Sequence, residues 1–457
     1  MQTYLWAASV LIGMTGCATN PSVSTDPIAP QTTALATVAS HSWWDVFHDP
    51  LMDRMAMQLL AQNLDIQMAE SRMAEARGIL KATISGWFPS VNAVGSSSRG
   101  NDAVGASKAV SMQKGGFDTQ WELDLFGKTR SQFRGVRARW QAKVALLEDM
   151  KHTMLFELMR AIVAWRQAQE TLEETKDLLT TQDKQIALFT QRSQAGLIDA
   201  TFLLRAQAER AHTSTHLPLA QAEADRARYS IARLLAMPAD QLELEDARHG
   251  SFHLPSVDRV VSVDAEILRE RPDVRALRAQ MLAAQSDLKA AEADLWPRLS
   301  VGAFFGVQHG SDGVKLASNP IWSLASSLTF PILDFGRLRG AVDVANARAR
   351  AASLEYENGV LLALQEVQTA LSDYLNGINA VACQEKTHRF RKDTVKLASD
   401  RFAQGLTDMT DLTTAQSELN QATIQLIDQR ALAATAYIRL QKALGVSHRL
   451  SAPKETP

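Results

Sequence analysis

The chain has 457 residues, 46% of them hydrophobic, and its 48 Lys and Arg nearly balance 50 Asp and Glu, leaving a net charge of −2. That length holds two or three ordinary domains, and the composition excludes a globally disordered chain. The charge balance excludes the basic footprint of a nucleic-acid-binding protein, and two distant cysteines, Cys17 and Cys383, exclude a disulfide framework or a cysteine-rich metal site.

Residues 1–16 read as a signal peptide. Their apolar core, Leu5 to Met14, is shorter than the roughly 18 residues a spanning helix needs. Met14-Thr15-Gly16-Cys17 resembles a bacterial lipobox, so a covalent lipid on Cys17 is expected; no other cofactor and no metal is. The alternative is a plain signal peptide with an incidental cysteine. Ala18, rather than Asp, after Cys17 implies sorting to the outer membrane. Residues 17–42 are rich in Ser, Thr, Pro and Ala and read as a lipidated flexible tether. Order is expected from Trp43-Trp44 onward.

The remainder is an internal duplication. Shifted by 208–209 residues, Asp65 falls on Asp273, Phe88-Pro89 on Trp296-Pro297, and Phe126-Gly127-Lys128 on Phe335-Gly336-Arg337. Arg192, Gly196, Leu197, Asp199 and Thr201 fall on Arg401, Gly405, Leu406, Asp408 and Thr410. Self-similarity held at one offset marks repeated structural units. The first repeat covers 43–236 and the second 264–446. Residues 237–263 join them, and 447–457 form a tail.

Each repeat has the same order of elements. A helix (~50–85 and ~264–294) comes first, the second announced by Arg271-Pro272-Asp273, and Trp87-Phe88-Pro89 and Leu295-Trp296-Pro297 end them. Two strands follow, ~87–98 and ~115–126, then ~299–309 and ~321–332. Phe117, Thr119, Trp121 and Leu123 alternate with Asp118, Gln120 and Glu122, a period of two. The Gly- and Ser-rich segments 95–107 and 306–319 read as loops. Long helices, ~129–191 and ~338–400, stop near Gly196 and Gly405, and helices ~199–236 and ~408–444 return, giving helical hairpins over ~129–236 and ~338–444. Cys383 reads as a small helix residue.

Strands with one apolar and one polar face suit lipid outside and water inside, although a half-buried sheet of a soluble domain shows the same period. Four strands cannot enclose water, and open sheet edges are not tolerated in lipid. Two copies give eight strands, a barrel filled by side chains; three give twelve, which leaves a lumen. A homotrimer with six quasi-equivalent hairpins around one axis is therefore expected. Gly127-Lys128-Thr129 imitates a phosphate loop without its first glycine, and Asp334-Phe335-Gly336 imitates a kinase fragment without its companions, so no enzyme is expected.

Trp43-Trp44 through Asp49-Pro50, Arg271-Pro272-Asp273, Asp334-Phe335-Gly336-Arg337 and the Arg-x-x-x-Gly-Leu segments 192–197 and 401–406 resemble the TolC-like outer membrane factors. The nearest branch is the lipoproteins serving resistance-nodulation-division efflux pumps. The resemblance covers nearly the whole mature chain. It implies a mainly α fold with a membrane β-barrel: a trimeric twelve-stranded barrel over an α-helical tunnel. It also implies a passive conduit fed by an inner-membrane pump through a periplasmic adaptor. Asp118, Glu122 and Asp124 would line the barrel or tunnel mouth, or else form a solvated strand face. Asp408 and Asp411 match the position of a carboxylate constriction in the family, or else act as helix-capping acids; Thr414 stands where relatives often carry another carboxylate. Arg192, Gly196, Leu197, Arg401, Gly405 and Leu406 match the tips that meet the adaptor. An outlet for protein secretion or heavy metals, and a soluble periplasmic coiled-coil scaffold, remain as alternatives.

Overall fold

The computed structural model describes residues 43–100, 110–244, 265–311, 316–407 and 409–445. Cys17 with the expected signal peptide and tether, most of the 237–263 linker, Asp408 and the tail lie outside the described residues.

The Asp49 carboxylate accepts from the Leu51 backbone N–H and opens α1 (Pro50–Gln62). The expected continuous helix over ~50–85 is two helices, because the chain breaks at Asn63 and restarts as α2 (Leu64–Ile84). Asn63 is extended and buried. Its side-chain oxygen accepts from the Ile66 N–H, and its amide donates to the Leu234 carbonyl at 2.8 Å. One buried side chain thereby satisfies a backbone N–H at the start of α2 and a carbonyl at the end of the helix closing on Leu234, groups that helix ends leave without intrahelical partners.

Strands β1 (Ser90–Gly100) and β2 (Val110–Leu123) follow, and then α3 (Lys128–Gln194), which spans about 100 Å at 1.5 Å per residue. The expected returning helix ~199–236 is likewise divided, into α4 (Ala200–Ser214) and α5 (His216–Leu234). The hydroxyls of Ser214 and Thr215 bond back to the carbonyls of Ala211 and His212, and Pro218 has no N–H to donate. The expected helix ~264–294 divides at Arg271 into α6 (Ala265–Glu270) and α7 (Pro272–Ala293). Strands β3 (Arg298–Ser311) and β4 (Leu316–Thr329) precede α8 (Arg337–Ala403) and α9 (Met409–Ala443). The two long helices, α3 and α8, have the same length, 67 residues.

The four strands form one antiparallel sheet in the order β1-β2-β3-β4. Their bounds differ from expectation at both ends. β1 begins at Ser90 rather than ~87 because Ser85–Trp87 wind into a 3-10 turn. β2 and β4 end at Leu123 and Thr329, short of ~126 and ~332, where the chain turns into α3 and α8 through Gly127 and Gly336 at φ 80° and 86°. The segments 95–107 and 306–319, expected as loops, are paired strand wherever they are described. Gly and Ser have weak strand propensity, but the ladder itself sets their conformation. At Gly116 and Gly306, which face each other, glycine is required: an added Cβ at either would strike the opposite backbone and the Phe304 ring.

The helices bury one contiguous core. Trp44, Phe47, Met52 and Leu59 pack with Leu158, Ile162 and Trp165 of α3, Ile231 and Leu234 of α5, Tyr374 of α8, and Ile438 and Leu440 of α9. Each such large apolar side chain contributes about 1.5–3 kcal/mol on burial. The Tyr437 hydroxyl donates to the Trp43 carbonyl, and burial pushes its pKa up to about 12, so it keeps that proton.

Arg271, in the sequence motif, is almost wholly buried. Its guanidinium pairs with Asp273 at 2.7 Å and Glu366 at 2.6 Å and donates to the Ala443 carbonyl at 2.9 Å. Ala443 lies 209 residues after Leu234, the carbonyl that Asn63 caps. Each repeat thus ties the end of its returning helix to the start of the helix that precedes its strands. We expect Asn63→Ala to destabilise the fold by about 1–3 kcal/mol and Arg271→Ala by about 3 kcal/mol, the larger loss because a buried guanidinium with three partners is removed, although water can reach the Asp273 and Glu366 carboxylates left behind. Thermal unfolding of both variants against the parent protein checks the magnitude and the order.

Candidate functional site

The sheet has two chemically opposed faces, set by register. Phe117 pairs with Phe305, Trp121 with Val301, and Phe305 in turn with Trp322; Ala303 pairs with Leu324 and Leu299 with Leu328. This face is apolar yet uncovered: Phe305 is 66%, Trp322 78% and Leu328 67% exposed. In water such a surface would be penalised; in hydrocarbon it is solvated. Fourteen residues extend roughly 48 Å, and a tilt near 45° brings that to about 34 Å, enough to cross a bilayer core of about 30 Å. No described helix is long and apolar enough to cross a membrane.

The opposite face carries Asn92 and Ser96 of β1, Lys114, Asp118 and Glu122 of β2, Ser300 and Gln308 of β3, and Ser323 and Ser327 of β4. Asp118 and Glu122 are exposed on it, as expected from their alternation. Asp124 does not join them. It lies beyond the end of β2, and its carboxylate accepts from the backbone N–H groups of Thr129 and Arg130 at the start of α3. Charge placed there satisfies orphan donors and the positive end of the helix dipole, so Asp124 caps α3. Asp334 does the same for α8 through the Leu338 N–H.

The hairpin tips are built from the Arg-x-x-x-Gly-Leu segments. Gly196 and Gly405 sit at φ 70° and 72°, and Leu197 and Leu406 donate their N–H groups to the carbonyls of Arg192 and Arg401, both at 2.9 Å. This is a Schellman cap, which requires a left-handed residue after the last helical turn. An added Cβ at either glycine would meet nothing within 4 Å, so the requirement is conformational and not steric. Leu197 and Leu406 are 73% and 69% exposed, apolar side chains held out at the turn. The two tips touch through a small cluster of Phe189, Met409 and Leu412, and the Arg192 guanidinium lies 5.6 Å from the Phe402 ring. Arg401 is exposed.

Asp199, the repeat counterpart of Asp408, caps α4: it accepts from Thr201, which holds its carboxyl below the usual range. Asp408 itself lies outside the described residues. Asp411 occupies the first turn of α9 and is exposed, as is Thr414. The first repeat has Phe202 where the second has Asp411, so this acid is not part of a shared capping device.

Sequence reasoning passed over several residues. Lys114 and Phe304 share the polar face, and only the register reveals it. Asn63 became informative only with the Leu234 carbonyl beside it. His212 and His216 stand four residues apart across the α4–α5 break, with ring centroids 5.9 Å apart edge to face. No third ligand joins them: no group of three metal-binding side chains exists among the described residues. Cys383 is a free, exposed thiol on α8.

An uncovered apolar sheet face above two 67-residue helices, each packed against its own return helix, defines a membrane-embedded strand bundle joined to a helical wall, the architecture of an outer-membrane channel subunit. The comparisons agree. The outer-membrane channel OprN superposes with a TM-score of 0.82 at 28% identity, covering 92% of this chain and 98% of that one. The outer membrane efflux protein profile matches residues 55–237 and 265–446, one match per repeat, and the chain belongs to this family. The toluene efflux pump outer membrane protein TtgF of Pseudomonas putida is 24% identical over 97% of both chains. Nodulation protein T of Rhizobium leguminosarum bv. viciae is 24% identical over 89% of this chain and 84% of its own. The protein is thus an outer-membrane efflux channel component and not an enzyme.

Substituting Val at Gly196 or Gly405 forces a β-branched residue into the left-handed region, at a cost of about 1–3 kcal/mol confined to the tip. The expected outcome is loss of export with oligomer assembly intact. Susceptibility of a complemented deletion strain, read beside the detergent-solubilised mass of each variant, checks both halves of that statement.

Proposed function

We propose that three copies of this chain close a twelve-stranded barrel in the outer membrane. Six helical hairpins then continue the wall into the periplasm, where they meet an adaptor and an inner-membrane pump. The observation that carries this reading is the sheet with two free edges. β1 and β4 each leave on the order of ten backbone N–H and C=O groups unpaired, and each costs several kcal/mol in hydrocarbon. An even number of strands lets β4 of one copy meet β1 of the next antiparallel, so the ring closes without reversing direction. Twelve strands at about 4.8 Å spacing and a tilt near 40° give a backbone cylinder roughly 24 Å across, wide enough to hold water.

No bond chemistry is required. Polar strand faces keep the lumen wet, and the tip cluster of Phe189, Met409 and Leu412 is small enough to separate and reform. The exposed Leu197 and Leu406 offer the adaptor apolar contacts at fixed turns. Asp411 from three copies would place like charges around the closed end and bias it toward opening. A lipid on Cys17 adds a second attachment to the barrel's own insertion. The toluene named for the relative TtgF favours small, partly apolar cargo over secreted proteins.

A deletion strain should become more sensitive to organic solvents and hydrophobic drugs, with the parent gene restoring resistance. Unchanged solvent and drug sensitivity, with a defect only toward metal salts or a secreted reporter, would replace this cargo assignment with one of the alternatives. Cys17→Ser should lose acyl labelling while the channel stays in the detergent-extractable membrane fraction.

A further inference from the structure

The polar face of the sheet is layered by charge, and the register fixes the layers. The level of Glu122 adds Ser300 and Ser327; the level of Asp118 adds Asn92, Phe304 and Ser323; the level of Lys114 adds Ser96 and Gln308. Among the described residues of this face the charged groups are Lys114, Asp118, Glu122 and Arg298. Arg298 stands at the helix end of the sheet, where it pairs at 2.7 Å with Asp294, a carboxylate it shares with Lys128. Among the described residues Lys114 has no carboxylate partner. Its ammonium lies 3.7 Å from the centroid of the Phe304 ring, which is itself buried and rests against Gly116 and Gly306. The two glycines leave room for the ring, the ring seats the lysine, and a cation–π contact holds the charge in place without cancelling it.

We infer that Lys114 is a selectivity-determining residue of the channel: a basic ring in the half of the barrel remote from the helices, opposed to the acidic rings of Asp118 and Glu122 nearer the tunnel. This rests on the barrel reading above. Four residues along a strand tilted near 40° separate adjacent layers by about 10 Å along the axis. That is close to the Debye length of about 8 Å at physiological ionic strength, so each layer acts on a passing ion largely by itself. At 10 mM salt the screening length of about 30 Å merges the layers, and six acids outweigh three lysines. The basic ring therefore slows cations and favours anionic groups at the outer exit, and holds down a cation preference that the two acidic rings would otherwise set.

The test is the reversal potential of the purified full-length protein in planar bilayers under a KCl gradient. Lys114→Met keeps the stem over Phe304 and removes the charge; Lys114→Arg keeps both the charge and the ring contact. Lys114→Met should raise the K⁺/Cl⁻ permeability ratio by about two- to threefold in dilute salt and less in concentrated salt, whereas Lys114→Arg should match the parent. Asp118→Asn with Glu122→Gln should lower the ratio. A Lys114→Met channel that conducts with the parent ratio, while the acid variants still shift it, would overturn the role of Lys114 and leave the barrel standing. No shift in any conducting variant would mean that this face does not line the pore, which would overturn both. A Lys114→Met protein that fails to assemble while Lys114→Arg assembles would make the lysine a packing element and also overturn the proposal.

Discussion

The constraint on which the structure turns is the backbone hydrogen bond in hydrocarbon. A strand in water can leave its edge to the solvent, but a strand in lipid cannot. This chain supplies four antiparallel strands whose outward face is unmistakably apolar, with Phe117, Trp322 and Leu328 exposed, and whose two edges are unpaired. The subunit is therefore incomplete as it stands. Its oligomeric state follows from the need to satisfy those edges more than from any particular side-chain contact.

Duplication organises everything below the sheet. Both long helices have 67 residues, both begin after a glycine in the left-handed region, and both end in a Schellman cap at Gly196 or Gly405. The repeats diverge where they must perform different local work. Asn63 and Arg271 hold equivalent carbonyls 209 residues apart, one as a neutral cap and one as a buried ion pair. The returning helix is broken at Thr215 in the first repeat and runs unbroken for 35 residues in the second. A wall made from these two hairpins would carry a break in every other return helix.

Much of the architecture was legible in the sequence, because it rests on periodicity and on strong local signals. The fixed repeat offset, the alternation around Trp121, and the glycines after the long helices each have one physical meaning. Element ends were less legible. Segments 95–100 and 306–311 look like loops from composition, and they become strands only because a neighbouring ladder pairs them. The break at Asn63 draws on the Leu234 carbonyl, far outside the local window, whereas those at Thr215 and Arg271 rest on short-range back-bonding and on Pro272, signals that weigh little within an otherwise helical pattern. In the candidate site, Asp118 and Glu122 were readable from alternation alone. The capping bonds of Asp124 were not, because they depend on where β2 ends and α3 begins. Lys114 was missed since its meaning depends on Phe304, nearly two hundred residues away.

The central claim is that this polypeptide cannot close a pore by itself. The most direct measurement is the protein mass of the detergent-purified particle, by light scattering with the detergent contribution subtracted. Edge satisfaction around a water-filled ring requires three times the chain mass. A monodisperse, folded particle of one chain mass would contradict it.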